Sequence, residues 1–248
     1  MNDKLTNWTE FYNQKFKKKN NKDEIENEKM YMKTFDNHYI NSKNVLALLL
    51  GPSGSGKTTT ILEFINRCAD NNKEIPFFNI VYFTSSTGDE SLIKLLKELI
   101  PSTIVIEDVN ELPQLNDYKN NNENFNKNLK NMIIFDDIAN LNKKQKEALS
   151  NWSNSGRKIF SHLFFLCQNP IDVPTTIRRN CNYIFCFKSN ELSIIDRLLK
   201  KYNIYNLNIE DLKKWYLESS KNKGDFLLLD LTVDSNYKIR HNFKDIFY

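Results

Sequence analysis

Glycine is scarce in this chain. Six glycines occur in 248 residues, and three of them, Gly51, Gly54 and Gly56, fall within six consecutive positions. A sequence that spends half of its glycine on one short stretch needs unusual backbone geometry there. Cysteine is also sparse. Cys68, Cys167, Cys181 and Cys186 form no C-x-x-C pair, and three of the four stand in apolar surroundings, which argues against a zinc site or a disulfide framework. Buried free thiols in a reducing compartment are the expectation. No segment approaches the roughly 18 apolar residues of a membrane span, and the N-terminus is polar rather than signal-like. An intracellular protein with no membrane partner is expected. Helix-turn-helix, zinc-finger and internal-repeat patterns are all lacking.

What is present suits one α/β domain with small additions. Hydrophobic residues make up 40% of the chain, enough for a substantial core, and charged residues 27%. The net charge of +4 permits a polyanionic partner without requiring one. The decisive stretch is GPSGSGKT at 51–58. An apolar run at 45–50 precedes it, and residues 59–65 continue with helical apolar spacing. Strand, glycine loop and helix in that order are the context in which a G-x-x-x-x-G-K-[ST] match is informative. Gly51, Gly54 and Gly56 free the backbone so that the amides of Pro52-flanking Ser53, Ser55 and their neighbours can turn toward phosphate oxygens. The helix opening at Lys57-Thr58-Thr59 adds its positive end. Lys57 is expected to reach the β- and γ-phosphates, and the Thr58 hydroxyl to be a ligand of Mg²⁺. Residues 51–59 therefore read as a nucleotide-binding loop.

Before that loop, Leu5, Trp8, Phe11, Tyr12 and Phe16 recur at helical intervals ahead of a basic run at 15–19. Residues 1–42 thus read as an N-terminal arm. It is either a basic element that touches nucleic acid or a neighbouring subunit, or a solvated helix packed through its aromatic stripe. Beyond the loop, strands are expected at 79–83, 103–106, 132–135, 161–168 and 183–187, with a last one at 226–231. Helices are expected at 90–99, ended by Pro101, and at 143–152, 191–202 and 209–216. Residues 153–158 read as a turn, and the Asn-rich stretch 117–128 as a surface loop. The core is placed at 43–190, and 191–248 form a C-terminal extension.

At 132–137, MIIFDD is an apolar strand ending in two acids. After a phosphate loop, Asp136 is expected to hold Mg²⁺ and Asp137 to orient and deprotonate the attacking water. A second apolar strand ends in Gln168. An amide closing a buried strand needs partners, and either the γ-phosphate or the attacking water supplies them, or the amide caps the next turn. His162, near the start of that strand, reads as structural.

These motifs together resemble the genome-packaging ATPases of large DNA viruses and virophages, the poxvirus-type branch of the HerA–FtsK superfamily. The resemblance covers about 45–188 and rests on GPSGSGKT, MIIFDD, SGRK at 155–158, Gln168 and IDVPTTIRRN at 171–180. It implies a P-loop NTPase fold of the additional-strand type, a mostly parallel sheet flanked by helices with the Gln168 strand between the phosphate-loop and Asp136 strands. It also implies a homo-oligomeric ring moving double-stranded DNA toward a capsid or portal vertex in the host cytoplasm or a viral factory. An arginine supplied to the neighbouring subunit maps onto Arg157, with Arg178 and Arg179 as rivals or DNA contacts. Asp137 stands where many relatives carry Glu. Two other readings stay open: a plasmid or cellular DNA translocase, and a capsid-assembly switch with little hydrolysis.

Overall fold

The computed structural model describes residues 44–68, 77, 80–84, 90–112, 114–115, 131–156, 161–190, 196, 207–232, 238–243 and 245–247. The expected arm at 1–42, the Asn-rich stretch and the helix at 191–202, apart from residue 196, lie outside them.

Six parallel strands form the centre of the sheet: β1 (Leu46–Leu50), β2 (Ile80–Thr84), β3 (Ile104–Ile106), β4 (Asn131–Asp136), β5 (Ser161–Cys167) and β6 (Tyr183–Phe187). Three antiparallel strands, β7 (Phe226–Asp230), β8 (Ile239–His241) and β9 (Asp245–Ile246), extend the β6 edge. The order is β3-β2-β4-β5-β1-β6-β7-β8-β9. The fold is that of a P-loop NTPase with an additional strand, as the resemblance implies.

Nearly continuous apolar runs form these strands because both faces of the sheet are covered. Helices α1 (Lys57–Cys68) and α2 (Glu90–Leu99) cover one face, where Phe64, Ile65 and Leu96 meet Ala47, Leu49, Ile134, Phe164 and Phe185. Helices α3 (Lys143–Ser155), α4 (Thr175–Asn180) and α5 (Ile209–Ser219) cover the other, where Trp152, Ile177 and Tyr216 meet Leu48, Phe135, Phe165 and Ile184. The alternation of partners along each strand is the two-residue period of the pleat.

Local signals set several element ends. Asn142 and Gln145 form a reciprocal capping box at the start of α3, with bonds of 3.0 and 2.8 Å. The Asn208 side chain accepts from the Glu210 amide at the start of α5. Helix α3 runs three residues past its expected end at 152, through part of the expected turn. The side chains of Ser153 and Asn154 accept from Asn180 on α4, at 3.1 and 2.8 Å, so tertiary contact outweighs the turn propensity of Ser and Asn. Gly156 follows as the cap, and a Cβ there would lie 2.4 Å from Leu163 Cδ1. The strand at 226–230 is not the last, since β8 and β9 follow it.

His162 is fully buried and accepts from the Val45 amide through Nδ1 at 3.2 Å, with Phe64 and Phe77 edge-on to its ring. It is part of the packing. All four cysteines are free and buried. Burial pushes the Cys167 thiol up to about 11 and the Cys186 thiol up to about 12. Thiolate is the reactive form, so the native protein at pH 8 should react with a thiol reagent at well under one equivalent in the time the denatured chain releases four. Rapid modification of a native cysteine would contradict this packing.

Candidate nucleotide site

The parallel strands all deliver their C-terminal ends to one edge, and the phosphate loop starts there. Gly51 follows β1, donating its amide to the Cys167 carbonyl at 3.1 Å, which ties the loop to β5. Gly54 and Gly56 have φ of +71° and +106°, the left-handed region that glycine enters without steric penalty. Gly51 is required for another reason. A Cβ on it would stand 2.6 Å from Phe187 Cβ and 2.7 Å from Ser55 Oγ. Pro52, Ser53 and Gly54 are exposed, while Ser55 to Thr59 are partly covered at the opening of α1. The Ser55 hydroxyl is buried with no hydrogen-bond partner, an unsatisfied polar group inside the loop.

The Lys57 ammonium folds back over the loop and donates to the carbonyls of Gly51 at 2.6 Å and Pro52 at 3.0 Å. Burial lowers its pKa from the ordinary lysine value, opposed by the nearby charge of Asp136 and, more weakly, of Asp137. Asp136 and Asp137 thus lie near enough to Lys57 to act on its charge.

Asp136 is the last residue of β4. One carboxylate oxygen accepts from the Tyr82 hydroxyl at 2.6 Å, and the other from the Asp137 amide at 2.9 Å. Burial raises its pKa, and these two bonds together with Lys57 hold the rise in check. Sequence patterns gave no warning of Tyr82. It sits in β2 as one apolar residue among five, and only the register of Tyr82 with Ile134 puts its hydroxyl under Asp136. Asp137 has φ of +50° and ψ of +54°, a left-handed conformation that costs a side-chain-bearing residue roughly 1–2 kcal/mol and is best tolerated by Asn and Asp. It leads into a 3₁₀ turn at Ile138–Asn140, so the second acid departs from the strand direction.

Gln168 follows β5, which ends at Cys167. Since Leu50 pairs with Cys167, Gln168 stands level with Gly51, between the phosphate loop and Asp136. Its side chain is exposed rather than buried, so burial imposes no demand for a partner and its place in the strand order is what keeps it at the site. Arg157 lies outside the described residues. Arg178 and Arg179 end α4, where Arg178 donates to the Thr175 hydroxyl at 3.0 Å and Arg179 is exposed. Neither makes a described contact with the loop.

No curated protein sequence matches the chain significantly. Among solved structures, the genome-packaging NTPase B204 of Sulfolobus turreted icosahedral virus 2, bound to AMPPCP, superposes with a TM-score of 0.57 at 16% identity, covering 83% of this chain and 100% of that one. The DNA-packaging ATPase B204 of Sulfolobus turreted icosahedral virus gives a TM-score of 0.55 at 15% identity, over 82% and 98% of the two chains. The cytoplasmic domain of the type VII secretion ATPase EccC of Thermomonospora curvata gives 0.52 at 15% identity, over 82% of this chain and 25% of that one. At these identities the likeness is one of fold. The family described as Poxvirus A32 protein matches residues 32–241, well over half of the sequence, and the chain belongs to that family.

Proposed function

We propose that this chain is an ATP-driven motor that moves double-stranded viral DNA into a capsid, acting as a homo-oligomeric ring in the host cytoplasm or viral factory. One observation carries the reading. In a member of the poxvirus A32 family, β5 separates β1 from β4, so the phosphate loop, Gln168, Asp136 and Asp137 open on one edge. The B204 proteins, which share the fold, are described as genome-packaging NTPases.

The chemistry follows from the groups at that edge. Backbone amides of residues 53–59 and the Ser55 hydroxyl surround the triphosphate. Lys57 exchanges the carbonyls of Gly51 and Pro52 for phosphate oxygens. Asp136 and Thr58 are hard oxygen donors of the kind Mg²⁺ prefers, and a carboxylate whose pKa burial has raised gains from a cation beside it. Bound there, Mg²⁺ would offset charge on the phosphates. Asp137 accepts the proton of the attacking water, and Gln168 orients that water or the γ-phosphate.

Arg157 is assigned to the neighbouring subunit's nucleotide. The assignment rests on the family pattern, in which the trans-acting arginine precedes the strand that leads to Gln168.

Three tests follow. Tyr82→Phe removes one carboxylate partner of Asp136 and should raise the Mg²⁺ half-saturation of ATP turnover about three- to tenfold, the worth of one such bond. An unchanged half-saturation would remove Tyr82 from the metal-binding arrangement. Asp137→Asn keeps a side chain that accepts the left-handed backbone, so melting temperature and ATP binding should hold while hydrolysis falls on the order of 10²-fold or more; full activity would require another base. Long duplex DNA should stimulate ATPase activity, with the effect declining as salt rises. Rings mixing Arg157→Ala with Lys57→Ala subunits should regain part of that activity. Absence of DNA stimulation in every assembly state would reject the motor and favour a nucleotide-dependent assembly switch.

A further inference from the structure

The phosphate loop has a second backbone neighbour, contributed from the far end of the chain. A Cβ on Gly56 would lie 2.9 Å from the Cα of Gly224, so the turn before β7 rests directly against the residue preceding Lys57. Gly224 itself has φ of +91°, a conformation closed in practice to side-chain-bearing residues. Register explains the meeting. Leu50 pairs with Cys186 and Phe187 with Phe226, so β7 begins at the same edge where β1 and β6 end.

The turn is held firmly. The Asp225 carboxylate accepts from Asn222 and Asn242, both at 2.9 Å, and Asn242 also accepts from the Phe226 amide at 3.0 Å. Burial pushes the Asp225 carboxyl up, but those amide bonds outweigh it and leave the group below the ordinary carboxylate value. On the adjoining strand end, the Tyr216 hydroxyl donates to the Phe187 carbonyl and accepts from the Ser189 amide. Lys188, between those two residues, donates to the Lys221 carbonyl at 3.4 Å, which links the strand end to the turn. Lys188, Lys221 and Lys223 are exposed.

Direction matters. The groups placed at the γ-phosphate, Asp136, Asp137 and Gln168, stand on the β5 and β4 side of β1. The 221–224 turn before β7 stands on the opposite side. A nucleotide with its γ-phosphate toward Asp136 runs past Gly56 and carries its nucleoside toward that turn.

Resting on the ATP-site reading above, we propose that Lys188 and the 221–224 turn form the nucleoside wall of the site, their ammonium and backbone polar groups meeting the ribose and base. Phosphate binding belongs to the loop, and retention of the nucleoside belongs to the wall. A C-terminal segment that reaches the loop through paired glycines thus completes the binding site of the N-terminal half.

Calorimetric titration of the full chain with ADP and with inorganic tripolyphosphate tests this. Wild-type protein should bind both. The Lys188→Ala, Lys221→Ala, Lys223→Ala triple variant alters exposed side chains and removes the Lys188 bond to the Lys221 carbonyl, and its melting curve verifies folding. It should bind ADP about tenfold more weakly, as expected for one or two lost charge-assisted hydrogen bonds, with tripolyphosphate affinity changed by less than about threefold. ADP affinity within about twofold of wild type, or an equal fall for both ligands, would overturn the wall. Failure of wild-type protein to bind either ligand would instead reject the nucleotide-site reading itself.

Discussion

Two strands separated by a third set the dimensions of this site. β1 carries the phosphate loop and β4 carries Asp136, and β5 lies hydrogen-bonded between them. Two strand spacings come to about 9.5 Å. Across that gap Lys57 turns to the carbonyls of Gly51 and Pro52, and Asp136 to Tyr82 and the Asp137 amide. Each charge is held by a neutral partner that a ligand can replace or join.

The rest of the molecule keeps that spacing rigid. Parallel strands buried on both faces cannot slip by one residue without turning one apolar set against the wrong helix layer. Stacked Phe135 and Phe165, in adjacent strands beneath the edge, lock the β4–β5 register, and Phe135 also packs on Trp152 of α3. On the other side of β1, the antiparallel strands contribute packing as well as the turn beside Gly56. Phe226 and Phe243 pack on Phe185, and Arg67 of α1 lies over the Phe243 ring at 4.8 Å while paired with Glu63. The helix that opens at Lys57 is thereby clamped by a residue 176 positions beyond its contact at Arg67.

The elements of the candidate site were legible because their signals are local. GPSGSGKT between an apolar run and a helical pattern marks the loop, and two acids after an apolar run mark the strand end at Asp136 and Asp137. Other features were beyond such reading. Gln168 was expected to be a costly buried amide, but it stands one residue past the strand and in solvent. The need for Gly51 comes from Phe187, not from its own dihedral angles. Strands β8 and β9 span three and two residues and include His241, Arg240 and Asp245, too short and too polar for alternation to show. They form because β7 offers an open edge, and Arg240 there reaches Asp230 at 3.8 Å.

Residue order alone determined that a phosphate loop, a paired-acid strand and their flanking helices exist, since each depends on the spacing of residues within one or two turns of chain. Residue order also placed the strand that ends beside Gln168 in a known family pattern. Only the tertiary structure decided which side chains meet. Tyr82 under Asp136, Gly224 against Gly56 and Phe187 against Gly51 join segments separated by 54, 168 and 136 positions, and no local pattern encodes such pairs. They arise from strand order and register, which are set by how whole apolar faces pack.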